Sequence, residues 1–562
     1  MPCVIDTGTQ TPQRAGNPWP RRLRAAIAGI LAAAVALGVA ELIAGLVGPN
    51  SSPVVVVGGS AIDATPRPVK DFAIRTFGES DKIALVIGTL ALIVVFAIVV
   101  GLLSLRDRRI GVAGIGLFGA VGALAAFTRP TGDLLDTLSS LLGAVVGIVA
   151  LLLMISALTQ PAGVTTDDDD GAATESSGGG RDMVASGGVL DNLRQNLGHR
   201  DRKGVSMDRR GFFIAGGVAA GVAAVTGGAG TLIQRRFDIS AARDALNIQT
   251  PADAAGAVPA GADLASEVPG LTPLFTDNAD FYRVDINITV PQVSPTDWSI
   301  RIHGRVQNEL TFSLADLMAR DDVIERDITI TCVSNTVGGG LAGSARWIGV
   351  PLRNLLDEAG VEDGADQVLT TAVDGFTIGT PTEDCLRTEN AMLAFGMNGE
   401  PLPAEHGFPV RMLVPGLYGY VSATKWVVDM ELTTFGEVAP YWVQREWDET
   451  APIKLASRID TPASVGVKAG DVMIAGVAWA QTRGIAKVEV RIDGGDWQQA
   501  ELAAETNVEM WRQWRLPWRA ETGQHTLSVR ATDQAGEVQT EERAEPFPNG
   551  ASGWHTLQVF IQ

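Results

Sequence analysis

The sequence predicts a multi-pass α-helical membrane region, then an α+β domain, then a C-terminal all-β, immunoglobulin-like sandwich. Three observations predict it. Apolar, almost charge-free runs all lie before residue 235. Eleven of the twelve tryptophans follow residue 290. Strand-like alternation starts at about residue 281. With 562 residues the chain is too long for one domain. A mean hydropathy of +0.17 with 19% charged residues leans apolar for a water-soluble protein.

A bilayer core needs roughly 20 apolar residues in a helix. Five segments meet that length: Ala25–Val47, Ile83–Leu105, Ile110–Thr128, Thr137–Leu158 and Gly211–Gln234. The predicted order is four spans within 1–160, a cytoplasmic linker over 161–210, a fifth span over 211–234 and a second linker over 235–280. Arg21, Arg22 and Arg24, then Arg106, Arg108 and Arg109, then Arg200, Arg202, Lys203, Arg209 and Arg210 all fall on one side if the N-terminus is cytoplasmic. Arg67, Lys70, Arg75 and Lys82 oppose that orientation mildly. The orientation puts everything after span five outside the cell membrane. Ser206-Met-Asp-Arg-Arg-Gly-Phe-Phe213 before span five resembles a twin-arginine export signal placed internally; an ordinary basic flank is the other reading. Glu41 is costly inside span one and is a functional candidate, or a partner in helix packing.

A net charge of −20 argues against nucleic acid, which needs a basic face. Three cysteines, Cys3, Cys332 and Cys385, are too few for a disulfide scaffold or a zinc ribbon. The five histidines are scattered, and none sits in a predicted span. There is no C-x-x-C-H motif and no cysteine cluster for an iron–sulfur centre. We therefore expect no haem in this chain, and a separate electron carrier if the chain does redox chemistry.

In the stretch 281–455, Trp298-Ser-Ile-Arg-Ile-His-Gly304 alternates as a strand. Ser313 reads as an N-cap, and Pro351 to Gly360 reads as a helix with proline in its first turn and a glycine stop. Cys332 ends a strand-like run and precedes Gly338-Gly-Gly340. A thiolate there can bind a soft or sulfur-bound metal, and loop N–H groups can meet anions. A buried inert thiol, or a disulfide with Cys385, is the bland alternative. His406, Arg411 and Lys425 lie in a turn-rich stretch that suits a phosphate-bearing ligand; taken singly, each is also an ordinary surface charge.

Together these pieces resemble the molybdopterin domain of the sulfite oxidase family. The matching runs are Thr331-Cys332, Ala345-Arg-Trp-Ile-Gly-Val-Pro-Leu-Arg-Asn-Leu-Leu356, Val373-Asp-Gly375, His406-Gly-Phe-Pro-Val-Arg411, Val414-Pro-Gly416 and Lys425-Trp426. The resemblance implies a Mo-molybdopterin cofactor with Cys332 as the metal-binding thiolate. It implies cofactor contacts at Asp374, His406, Arg411, Ala423, Thr424 and Lys425, and more loosely at Tyr282 and Arg283. It places an active-site tyrosine near Tyr441. Sulfite oxidases commonly follow the metal cysteine with Ala-Gly-Asn-Arg-Arg. Here Val333-Ser-Asn-Thr-Val337 has no arginine, which puts sulfite itself in doubt. An S-oxide reductase, such as one acting on methionine sulfoxide, is an alternative because that branch shares the cofactor domain, while the C-terminal sandwich favours the sulfite oxidase branch. A non-catalytic surface scaffold is a further alternative.

Residues 456–562 carry strand-like runs at Val472–Ala478, Ile485–Ile492, Trp511–Leu516 and His525–Ala531, with Asp493-Gly494-Gly495 as a hairpin turn. The pattern resembles the dimerisation domain that accompanies sulfite oxidases, so a homodimer is implied by resemblance.

Overall fold

The computed structural model describes residues 19–48, 51–65, 69, 81–129, 133–159, 209–234, 238–251 and 253–562. The expected cytoplasmic linker lies outside these up to residue 208, as do Cys3, Arg67, Lys70, Arg75 and the first three residues of the twin-arginine-like motif. The chain divides into two compact units, Met1–Arg236 and Phe237–Gln562.

The first unit holds helices α1 (Trp19–Val47), α2 (Pro53–Ala64), α3 (Asp81–Leu103), α4 (Arg108–Phe127), α5 (Thr137–Thr159) and α6 (Arg209–Gln234). Five of them, all but α2, are long and apolar enough to cross a membrane. α1 is buried along an alanine-rich face, Ala25, Ala28, Ala32, Ala36, Ala40 and Ala44, each no more than 5% exposed. Small residues let the backbones approach closely. A Cβ at Gly29 would lie 2.0 Å from the Ala97 carbonyl oxygen of α3. Outward faces stay apolar, as at Ile83, Ile87 and Leu92 of α3. Helix α2 is absent from the sequence prediction. Its 12 residues reach only about 18 Å, short of a bilayer core, so the length criterion passed over it. Ser52 Oγ, just before α2, donates to the Glu41 carboxylate, giving that residue a packing partner.

The second unit begins with a difference from the sequence reading. The expected linker over 235–280 packs onto the β-rich body from residue 238. Short helix α7 (Ser240–Asp244) follows Ile239, which is buried beside Phe281 and Trp347. Leu264, Val268 and Leu271 are buried with Ala475 and Ala503. Leu274 O accepts from Trp511 Nε1 at 2.8 Å. These apolar residues are spaced irregularly among prolines and glycines, so their burial leaves no periodic signal.

The α+β part contains β1 (Ser299–Gly304), β2 (Leu310–Ser313), α8 (Leu314–Met318), β3 (Ile324–Thr331), β4 (Ala342–Pro351), α9 (Leu352–Ala359), β5 (Gln367–Ala372), β6 (Thr377–Pro381), α10 (Thr382–Arg387), β7 (Met392–Met397), β8 (Glu400–Pro401), β9 (Arg411–Leu413), α11 (Gly419–Ser422) and β10 (Val427–Thr433). One sheet runs β2-β1-β10-β5-β6; the other runs β3-β4-β7-β8, with β9 also on β7. β1 and β10 are parallel. Ser313 caps α8 in a reciprocal box with Asp316. Gly360 closes α9 at φ 69°, the left-handed stop that glycine takes most easily.

The last part is β11 (Ala456–Thr461), β12 (Gly470–Trp479), β13 (Ile485–Ile492), β14 (Trp497–Gln499), β15 (Glu501–Leu502), β16 (Arg512–Ala520), β17 (Gly523–Asp533) and β18 (His555–Ile561). Two four-stranded antiparallel sheets, β11-β12-β16-β15 and β14-β13-β17-β18, share a core that includes Ile474, Trp514, Val488 and Val529. Asp493 and Gly494 take φ of 52° and 72° in the β13–β14 turn, as a tight hairpin requires.

Candidate active site

Cys332 follows the last residue of β3 and is 8% exposed. Its N–H donates to Leu341 O at 3.0 Å, so the chain leaves β3, loops through three glycines and returns to β4 opposite its own start. Asn335 N–H donates to Cys332 O at 3.0 Å, and Asn335 Oδ1 accepts from Leu341 N at 2.9 Å. Inside this loop Ser334 N–H donates to the cysteine sulfur at 3.4 Å. Burial pushes the thiol pKa up, and the Ser334 N–H opposes that shift. Both Cys332 and Cys385 are free thiols, so no disulfide joins them. Cys385 is fully buried in the hydrophobic core.

His406, Arg411 and Lys425 are brought together around a single turn. Gly407, at φ 111°, is the pivot: its Cβ position would touch both Arg411 and Lys425. His406 Nε2 bonds Asn278 O at 3.0 Å. Burial, then the nearby Arg411, pushes its pKa down to about 4, so the imidazole is neutral at pH 7. Arg411 is 5% exposed. It donates from one terminal nitrogen to His406 O at 3.1 Å and lies 5.1 Å from the Trp347 ring centroid. Burial lowers its pKa to about 10. Among the described residues, Arg411 is the one charged side chain with a buried nitrogen, Nε, that has no hydrogen-bond partner. The Thr331 hydroxyl, next to Cys332, is also buried without a partner. Lys425 donates to Asp285 at 2.8 Å and to Glu405 O at 3.1 Å. Burial draws its pKa down to about 8 against the pull of Asp285.

Residues 282–287 form one wall. Arg283 pairs with Asp285 at 2.7 Å, the same carboxylate that holds Lys425. Asn287 N–H donates to Asp285 at 3.0 Å, and its side-chain amide donates to Asp374. Asp374 also accepts from Phe376 N at 3.0 Å. Asp285 and Asn287 were not singled out by the sequence, since two polar residues in an irregular stretch carry no signal before the fold brings Lys425 and Asp374 to them. Thr424 Oγ1 meets Thr370 Oγ1 at 2.5 Å, and Ala423 is buried just after α11.

Tyr282 and Tyr418 stand close enough to Cys332 that a thiolate there raises both phenols. Burial is the larger cause at each, and Tyr418 is pushed up to about 12. Tyr441 is the tyrosine expected at the reaction centre. It packs on Phe376 with ring centroids 5.1 Å apart, on Trp442 at 5.1 Å and under Arg445 at 3.5 Å. Tyr418 was not singled out by the sequence, since a tyrosine in a turn-rich stretch carries no signal before the fold brings Cys332 near it.

The donor set suits an anionic, sulfur-bearing cofactor. A buried guanidinium without a carboxylate has an open nitrogen for acceptor oxygens, a buried ammonium stands nearby, and a cysteine faces the same region. Sequence comparisons with known proteins agree. Residues 287–441 match the oxidoreductase molybdopterin binding domain. The mitochondrial sulfite oxidase of Macaca fascicularis is 30% identical over 342 residues, 51% of this chain and 62% of that protein. The uncharacterized oxidoreductase YuiH of Bacillus subtilis is 34% identical over 138 residues, 25% of this chain and 66% of that protein. The chain thus spans about three fifths of the sulfite oxidase's length. The sulfane dehydrogenase SoxCD of Paracoccus pantotrophus aligns in structure with TM-score 0.46 and 23% identity, over 52% of this chain and 82% of that one. The matched part of the chain is a molybdopterin binding domain of the sulfite oxidase family of oxidoreductases.

Proposed function

We propose that this chain is a membrane-anchored molybdenum enzyme that moves an oxygen atom to or from a small sulfur-containing substrate on the extracytoplasmic face. The observation that carries the reading is Arg411: a buried, charged group with an open nitrogen beside a cysteine at a strand end. When bound, Mo-molybdopterin supplies a two-electron centre for oxygen-atom transfer. Cys332 would bind the metal through its thiolate, steadied by the Ser334 N–H. Arg411, Lys425 and neutral His406 would hold the anionic and polar parts of the pterin, with the Thr331 hydroxyl, Ala423, Thr424, Tyr282, Arg283 and Asp374 around it. Asp285 keeps Lys425 charged against burial and aims it. Tyr418, protonated across the physiological range, offers a second phenol near the sulfur besides Tyr441, the active-site tyrosine that the resemblance implies.

Two electrons per turnover pass to or from a separate carrier, a soluble cytochrome or a membrane redox subunit, because no haem site is expected in this chain. The Arg/Lys clusters support a cytoplasmic N-terminus, and Arg209-Arg210 at the start of α6 supports export of a domain already folded around its cofactor. The two-sheet C-terminal part supports an immunoglobulin-like dimerisation module.

A second reading has its own observation. The loop after Cys332 carries no arginine, which favours a less charged substrate than sulfite and so an S-oxide reductase. Assaying the purified full chain for sulfite oxidation and for S-oxide reduction with artificial electron carriers decides between them. Cys332→Ser abolishes either activity; full turnover in that variant overturns the assignment and leaves a scaffold that retains the fold.

A further inference from the structure

We infer that the C-terminal sandwich clamps the loop after Cys332 through Arg458 and His555, and that these two side chains are positioning residues for the cysteine. The loop has no side-chain cation of its own, and its shape rests on backbone bonds, on the Asn335 side chain and on contacts from outside.

Both contacts fall on consecutive glycines. Gly338 adopts φ +78°, and a Cβ there would lie 2.3 Å from His555 Cδ2 and 2.4 Å from its Nε2. The imidazole therefore occupies the space that a side chain at 338 would need. His555 is itself fixed, because Ile459 N–H donates to its Nδ1 at 3.0 Å. In the neutral ring the proton is then on Nε2, the nitrogen facing the loop. One residue on, Arg458 donates to Gly339 O at 2.9 Å. Arg458 is 8% exposed and held by Asp460 at 2.6 Å and Thr272 Oγ1 at 2.8 Å. Its charge is therefore paired, and its contact with the loop is directional.

The platform behind the clamp is rigid. Val477 and Trp479 of β12, together with Trp511, belong to the same buried core as Ile300 and Leu352. Trp511 N–H donates to Thr329 Oγ1 of β3 at 2.8 Å. The sandwich thus grips β3 just before Cys332 and the loop just after it. The consequence at the sulfur runs through Ser334: the clamped loop returns from Gly339 to Thr336 O at 2.8 Å, which keeps Ser334 N–H aimed at the cysteine. A third contact lies nearby, where the Tyr418 phenol sits on Gly550, 2.5 Å from where a Cβ would be.

The inference rests on the reading of Cys332 as the metal thiolate only in its spectroscopic arm. The test compares the full chain with His555→Ala and Arg458→Ala, and with Arg458→Lys as the conservative variant in case Arg458→Ala fails to fold. In metal-free protein, amide exchange over 333–341 speeds up about tenfold in the alanine variants, with other peptides unchanged. Arg458→Lys recovers part of the protection. In loaded protein, the Mo(V) electron paramagnetic resonance line shape shifts. kcat falls about tenfold while KM stays within about twofold, as a misplaced reacting group predicts. Unchanged loop exchange overturns the clamp. Faster exchange with an unchanged line shape and unchanged kcat makes the contact merely structural and overturns the positioning role. A wild-type chain without molybdenum refutes the underlying reading instead, and the metal-free exchange still decides the clamp.

Discussion

The C-terminal sandwich and the α+β domain differ at one buried charge. In the sandwich, Asp533 is fully buried and receives Arg483 at 2.8 Å and Glu537 N–H at 2.8 Å. Arg458 is matched by Asp460. In the α+β domain, Arg411 is as deeply buried as these but has a carbonyl, an aromatic face and an open Nε. Burying a charge without a partner costs several kcal/mol. A fold that closes its charge sets in one part and leaves one open in another is incomplete at the open place, and a bound anion would complete it.

The widest test of that contrast is to break one charge set of each kind. Arg483→Met strands Asp533 and should cost about 3 kcal/mol, read as a fall in the thermal midpoint of the purified chain. Arg411→Met in metal-free protein removes an unpaired charge, so it should stabilise by about 1 kcal/mol. A fall matching that of Arg483→Met would erase the contrast.

Lys425 gives a pH-dependent version. Burial holds it at about 8 in the folded chain, below the roughly 10.4 of a free lysine. Between those values the unfolded chain binds more protons, so stability from this group rises with pH there and is lost as pH falls through 8. Metal-free wild type should gain midpoint relative to Lys425→Met on going from pH 8 to pH 10, and parallel profiles would contradict this. Loading should abolish the gain, because an anion raises the lysine. At the small end, Ser313→Ala opens a capping box far from any ligand and should cost about 1 kcal/mol, equally with and without metal.

The same contrast explains what was legible in the sequence. The five long helices were, because a run of about 20 apolar residues has few other uses. So were the Ser313 cap, the Gly360 stop and the Asp493-Gly494 turn, since each is a local backbone demand. His406, Arg411 and Lys425 were singled out by resemblance; their types alone fit a surface equally well. Asp285, Asn287, Tyr418 and His555 were not found, because each gains meaning only from a residue more than 80 positions away in the chain. Helix α2 and the packed segment after residue 238 were missed for want of length in one and of period in the other.

The most direct test of the account is the molybdenum and pterin content of the purified full chain beside Arg411→Met and Arg483→Met. The account predicts about one molybdenum per chain in the wild type, a similar content in folded Arg483→Met, and a loss of about tenfold or more in Arg411→Met despite its intact fold. Full loading of Arg411→Met would contradict it.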